Sequence, residues 1–386
     1  MNGDLKSAAD FLLLNKRILS VGGMWPLSRT FIHFYINYIY MLVHLTLAFT
    51  DFISIYGNMH LMMENLLETS IQTMLCFKMI VIRQSPTLRQ ILRRVEEGTH
   101  ENNYRDDTEK QLYLAHNVIG QTFFKAGHYL AFVTGVIYYL GPLKDCLTAA
   151  MNNETQPYVL PFRTHLFLDI QNVRNYVLMY IWQLPLFYYG YCHAITVGFL
   201  CTLVFHVTGK MSVLAHRIRL IGSTSDLLIH HDNPDMTFRE IVKKHLHVMW
   251  EASAIDDVFN LLLLEELIIT TILIALVAYN LLSPVVPFYD KLFLGNYCVA
   301  LLAIILIYCL TGDSLIRQSE NIHDAFYECP WYQMKPKHQK NLIICMVRSQ
   351  QPVHLTAGRF YIFSLPRFSE ILKTAMAYIS MLRTVV

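Results

Sequence analysis

From Tyr176 to Val207 the chain runs thirty-two residues without an Asp, Glu, Lys or Arg. In water such a run would have to be buried on every side, whereas in lipid it needs only to close its own backbone hydrogen bonds, which a helix does. About twenty helical residues cross a bilayer. The run is therefore too long for one crossing and too short for two, and predicts a helix that crosses and continues into the aqueous phase. Two more uncharged stretches, Phe31 to Thr50 and Leu292 to Gly312, are twenty and twenty-one residues long. Weaker spans read from Leu61 to Ile82, Ala126 to Leu143 and Val258 to Leu282. A closing helix reads from Phe363 to Arg383. Only 16% of residues are charged, where a soluble domain has about a quarter. The fold class expected is an all-α membrane protein with seven transmembrane helices.

Lys and Arg set the orientation. With residue 1 inside, the inner segments hold four in the N-terminal lead (Lys6, Lys16, Arg17, Arg29) and six between helices two and three (Arg83, Arg89, Arg93, Arg94, Arg105, Lys110). Six follow helix four (Lys210, Arg217, Arg219, Arg239, Lys243, Lys244), and four follow helix six (Arg317, Lys335, Lys337, Lys340). These twenty stand against five outside: Lys144, Arg163, Arg174, Lys291 and Arg383. The expected protein is N-inside and C-outside, opposite to rhodopsin-like receptors. The sequon Asn153-Glu154-Thr155 falls in the predicted outer loop after helix three, with Asn153 as its glycosylation site. Cys146 is expected in that loop too. The eight cysteines show no CxxC or Cys/His spacing, so no zinc site is read. Asp4, Lys6 and Asp10 interrupt any signal-peptide core.

Charges inside spans face protein or water rather than lipid. That rule applies to Glu64, Glu68 and Lys78 in the second span and to Glu265 and Glu266 in the fifth. It applies most to the closing helix, where Arg367, Glu370 and Lys373 share a face at three-residue spacing. They are read as holding that helix to its neighbours.

The C-terminal segment resembles the insect odorant receptors. The resemblance rests on Ser319, Ala325, Tyr327, Trp331-Tyr332, Met346, Arg348-Ser349-Gln350-Gln351-Pro352 and Leu355-Thr356-Ala357-Gly358. It continues through Phe360, Ser364, Phe368, Ile371-Leu372-Lys373-Thr374-Ala375, Tyr378 and Leu382-Arg383. It implies a heteromeric ligand-gated cation channel, in which a variable subunit binds a small volatile odorant and assembles with a coreceptor, as a tetramer, around one pore lined by the last helix. The family's coreceptor carries a long insertion between helices four and five. This chain has only about fifty residues there (Thr208 to Asp257), so the odorant-binding subunit is implied. A gustatory receptor-type channel is the alternative. Those receptors end in a Thr-Tyr…Gln-Phe pattern, where this chain has Ala377-Tyr378 and Leu382-Arg383.

The expected parts are a cytosolic lead (1–30), a six-helix bundle (31–312), a cytosolic anchor (313–358) and a pore-lining helix (359–386). Pocket candidates lie in outer halves: Met62 and Thr69 on helix two, Phe132, Gly135 and Tyr139 on one face of helix three, Met179 and Gln183 on helix four, and Tyr297 on helix six. Apolar and aromatic side chains with few hydrogen-bonding groups suit small, nearly neutral ligands, though at helical spacing such residues also serve plain packing. The resemblance places Met381 at the pore constriction, one turn from Ala377 and Val385. His230-His231 and His245/His247 fit a solvated surface better than a metal site, since residues two apart diverge on a helix. No nucleophile–base pair or phosphate loop is present, so no enzyme, cofactor or nucleic-acid partner is expected.

Overall fold

The computed structural model describes residues 5–28, 31–98, 104–151, 158–165, 170, 172–221, 234–282 and 288–385. Asn153, His230 and His231 lie outside these residues. The helices are α1 (Leu5–Val21), α2 (Phe31–Ser54), α3 (Met59–Gln84), α4 (Pro86–Gly98), α5 (Asp107–Met151), α6 (Val173–Trp182) and α7 (Leu184–Arg219). They continue with α8 (Pro234–Leu282), α9 (Phe288–Glu328), α10 (Pro336–Ser349) and α11 (Leu365–Val385), and a two-residue hairpin of β1 (Thr356–Ala357) and β2 (Tyr361–Ile362) precedes α11. Among the described residues five segments are long and apolar enough to cross a membrane: Phe31–Ser54, Leu61–Gln84, Val173–Arg219, Phe238–Leu281 and Leu294–Glu328. With the more polar α5 and α11 they make the seven long elements expected.

Several segments read as polar connectors are helical. Residues 83–118 hold α4 and the start of α5, and α5 continues to Met151, placing Cys146 in a helix rather than a loop. At 1.5 Å per residue α5, α8 and α9 span roughly 60–75 Å, about twice a hydrocarbon core. Their polar extensions converge on that of α7, where Glu109, Glu251 and Glu328 meet Arg217, Lys210 and Arg219, an arrangement that apolar runs do not signal. The fourth span, expected as one helix, is broken at Gln183. Pro185 cannot donate into the helix and crowds the carbonyl one turn back, so α6 ends and α7 begins there. Pro86 acts similarly between α3 and α4, holding Ser85 extended while its hydroxyl caps Leu88 N at 3.1 Å.

The uncharged run becomes the central post. α7 packs most extensively against α5 and α9, and 83% of its apolar window is buried. It shows no amphipathic stripe because every side is covered. Beyond the bundle, α7 is pinned by ion pairs: Arg217 Nε donates to Glu109 Oε1 on α5 at 2.7 Å, and Lys210 reaches Glu251 on α8 at 3.0 Å. Burial alone would raise the Glu109 carboxyl, but the Arg217 guanidinium and the Arg105 N–H hold it below the usual carboxylate range.

The Leu355-Thr356-Ala357-Gly358 signature forms the hairpin that turns the chain into α11. Asp256 on α8 accepts from Thr356 N at 2.6 Å and from Thr356 Oγ1 at 2.9 Å. Gly358 N donates to Asn260 O at 3.0 Å, and Phe363 N closes the hairpin on Leu355 O at 2.9 Å. The motif is thus a clasp on α8.

Candidate functional site

Phe132, Gly135 and Tyr139 share one partner, Phe187 on α7. The Phe132 and Tyr139 rings lie 6.0 Å and 6.2 Å from the Phe187 ring, and a Cβ on Gly135 would approach that ring to 2.8 Å. The face predicted for α5 therefore exists and packs against α6 and α7. Tyr139 donates to Tyr180 O at 2.7 Å and meets the Tyr180 ring edge-on at 4.8 Å. Phe187 had a legible signal: Tyr176, Tyr180, Gln183 and Phe187 recur at four, three and four residues, a single helical stripe.

Gln183 is fully buried and acts as a clamp. Its Oε1 accepts from Phe162 N at 3.1 Å, and its Nε2 donates to Phe162 O at 2.7 Å. Both backbone groups of Phe162 are thereby satisfied inside an aromatic shell that also holds Tyr158 and Leu160. Residues 158–165 are tucked between helices.

The same segment reaches α2 and α3. Arg163 N donates to Glu68 at 2.8 Å, and its Nε donates to Asp51 at 2.9 Å. Glu68 also accepts from the Tyr138 hydroxyl, and the Tyr138 ring lies 5.6 Å from Phe162. Adjacent residues of α5 thus serve opposite sides, Tyr138 toward α3 and Tyr139 toward α6. Thr69 is buried and donates to Asn65 at 3.1 Å, while Tyr297 donates to Leu67 O at 3.2 Å. Met62 and Met179 are half-buried and join neither cluster among the described residues. The candidates form two groups, one on α5–α7 and one on α3–α9, bridged by residues 158–165. Glu68 is the in-span charge expected to face protein or water, but its partners Tyr138 and Arg163, and Phe162 beside them, are not read from the sequence because residues 158–165 carry no periodic signal.

Deeper in the bundle sits an ionic node. Lys78 on α3 meets Glu266 on α8 at 2.7 Å, with both side chains 4% exposed. Tyr308 on α9 donates to the same Glu266 oxygen at 2.8 Å, and His193 Nε2 on α7 stands 3.5 Å from the other. Of the charges read in spans two and five, Lys78 and Glu266 are thus each other's partners, as burial requires, while Glu68 is held by Arg163 N and Tyr138. A cavity of about 10 Å³ touches this node. It is far below the roughly 300–1,000 Å³ of small-molecule sites. A groove of about 350 Å³ beside Asp256, Arg348 and Arg359 is open and charged, unsuited to an apolar ligand.

On α11 the exposed positions include Arg367, Glu370, Lys373, Ala377 and Ser380, recurring at three and four residues along one face. Arg367 donates to Glu370 within the helix at 2.7 Å, and both are over half exposed. That pair lies within α11. Met381 and Val385 lie on the same helix backbone. Among the described residues no three His, Cys, Asp or Glu side chains converge as a metal site.

Tyr139→Phe should keep the ring contacts and leave ligand dose-response within about fivefold, since one hydroxyl bond contributes about 1 kcal/mol. Tyr139→Ala opens a void against Phe187 and Tyr180, and costs about 3 kcal/mol or more. The half-maximal ligand concentration should rise at least tenfold at matched surface expression. Equal curves for both variants would separate Tyr139 from the pocket.

Residues 58–376 match the family model described as 7tm Odorant receptor. Odorant receptor 10a of Drosophila melanogaster is 23% identical, covering 94% of this chain and 91% of its own length. Odorant receptor 13a of the same species is 28% identical over 65% of this chain. The chain spans 63% of that relative's length. The odorant receptor coreceptor of Anopheles gambiae is 29% identical over 36% of this chain and 30% of its own. The solved olfactory receptor OR5 from Machilis hrabei superposes with a TM-score of 0.82 at 13% identity, covering all of both chains. The match to its complex with eugenol has a TM-score of 0.74 at 16% identity, covering 98% of this chain and all of that one. The family model covers most of the chain and the fold matches over its whole length: this protein is a member of the odorant receptor family, with the insect olfactory receptor fold.

Proposed function

We propose that this chain is the odorant-binding subunit of a heteromeric ligand-gated cation channel. It is a multi-pass protein of the plasma membrane, placed in the dendrites of olfactory neurons, with its N-terminus inside and C-terminus outside. The observation that carries the reading is the exposed face of α11. Arg367, Glu370 and Lys373 would be costly against lipid, and among the described residues they stand exposed on one face with Ala377 and Ser380. Such a face suits a helix that meets partner subunits and a water-filled path. The coreceptor among the relatives supplies the partner, and the eugenol complex of OR5 indicates the ligand class, a small and largely apolar organic molecule.

In this reading residues 1–30 and 313–358 are cytosolic, the polar extensions of α5, α7, α8 and α9 project inward, and the two candidate groups bridged by residues 158–165 form the ligand pocket in the outer half. Ala377, Met381 and Val385, one turn apart, line the pore. The test is current recording from cells expressing this chain with a coreceptor, under graded application of volatile esters, alcohols and phenols. Evoked cation current within milliseconds, independent of nucleotide, supports the channel. Current that requires a G protein would sink it. An epitope after Val386 should label intact cells and one before Met1 should not. The reverse pattern would overturn the orientation.

Met381→Ser tests the gate. A hydroxyl retains water where a ring of thioethers sheds it, so the dewetting barrier should fall. Resting conductance should rise about twofold or more without changing which odorants act. Ion-substitution recordings against a lipid-facing control, Ile36→Ser on α2, check this. Unchanged resting conductance and selectivity would return Met381 to packing.

A further inference from the structure

The ionic node has contacts on both sides of a functional divide. Glu266 receives Lys78 from α3, the helix that carries Met62, Glu68 and Thr69 further toward residues 158–165. It also faces His193 from α7, the helix that carries Phe187. The remaining partner, Tyr308, donates its hydroxyl to Glu266 at 2.8 Å and is 3% exposed. Its ring lies 5.7 Å from that of Phe363, which is 1% exposed and sits immediately before α11. One turn along α9, Gly312 packs against the backbone of Phe363 so closely that a Cβ there would overlap the Phe363 carbonyl. Between them Thr311 bonds Cys201 on α7 at 3.3 Å. α9 therefore touches the entry to α11 at two successive points, and its Tyr308 is hydrogen-bonded to the carboxylate on which the candidate ligand-binding helices converge.

We propose that Tyr308 is a positioning residue for gating: it transmits displacement of the ligand-side helices α3 and α7, through Glu266, to Phe363 and the base of α11. The physical grounds are direction and stiffness. A buried carboxylate shared by an ammonium and a phenol cannot release either without leaving polar groups unpaired in an apolar interior, so its partners move together. Phe363 is fixed in turn by the hairpin bond to Leu355 O, so a push from Tyr308 moves the start of α11 rather than one side chain. The cavity of about 10 Å³ beside the node is far smaller than an odorant. The inference rests on the channel reading above and names the route by which binding would reach the pore.

The test compares Tyr308→Phe with the wild type in cells co-expressing a coreceptor. The probes are eugenol, three aliphatic esters and three aliphatic alcohols, with surface protein measured by biotinylation. Tyr308→Phe keeps the ring against Phe363 and removes only the hydroxyl. The expected result is a three- to tenfold rise in half-maximal concentration by the same factor for every active probe, with altered activation and deactivation times. A pocket residue would instead reorder the probes. Phe363→Leu, which keeps an apolar side chain but removes the ring, should give the same uniform shift. Combined with Tyr308→Phe it should add less than the two single shifts together. Unchanged half-maximal concentrations and kinetics in Tyr308→Phe at matched surface expression would overturn the proposal, as would a shift that differs between probes. Wild-type cells that give no current with any probe would overturn the channel reading, and this inference with it.

Discussion

Lys78→Met should remove most of this protein from the cell surface. The substitution keeps length and apolar volume but leaves the Glu266 carboxylate buried beside Tyr308 and His193 without its ammonium partner. Stripping one member from a buried ion pair costs about 3–5 kcal/mol, against a total stability of about 5–15 kcal/mol for ordinary domains. The folded-to-unfolded ratio should fall by more than about a hundredfold, since each 1.4 kcal/mol is a factor of ten. The double variant Lys78→Met/Glu266→Gln should recover much of the loss. It removes both charges and keeps an acceptor for the Tyr308 hydroxyl. Surface biotinylation and heat-step size-exclusion of the detergent-solubilised protein measure both. Equal loss in single and double variants would show that the helices depend on the charges themselves rather than on their neutralisation.

Gly312→Ala should be the most damaging methyl group that can be added to α9. Its Cβ would overlap the Phe363 carbonyl, a backbone group held by the hairpin and unable to swing aside. Overpacking of a tight site costs about 1–3 kcal/mol, and here the strain falls where α9 meets α11, so evoked current should drop more than surface expression does. Gly295→Ala is the matched control on the same helix, where an added Cβ meets nothing within 4 Å. It should be neutral or stabilising by up to about 1 kcal/mol, because alanine is the better helix former. Similar outcomes at both positions would mean that the approach of Phe363 to α9 is looser than described.

Some of the site was readable because it obeys a local period. Phe132, Gly135 and Tyr139 fall on one face from spacing alone, and that face packs together on Phe187. Gln183 is a pocket candidate from its place one turn from Met179 on the fourth span, but its partner is the Phe162 backbone, and a sequence carries no mark of such a bond. The break at Gln183 was in principle legible from Pro185. It was hidden by the absence of charge from Tyr176 to Val207, which dominates any reading by hydropathy.

What the sequence by itself determined is what depends on neighbouring residues: the apolar runs, their number, the amphipathic closing helix, and the Leu-Thr-Ala-Gly and Gln-Pro signatures that mark the family. Lipid as solvent forces each long apolar run to be a helix, so that step needs no knowledge of packing. Only the tertiary structure decided which charges are partners. Lys78 and Glu266 are far apart in the chain and lie in different spans, and their pairing follows from how α3, α7, α8 and α9 pack, which no local period encodes. The same holds for residues 158–165, which look like an ordinary loop until Gln183, Glu68 and Asp51 hold them between the helices. Periodicity says which face of a helix is buried; which helix buries it is set by the sum of many weak contacts over the whole bundle.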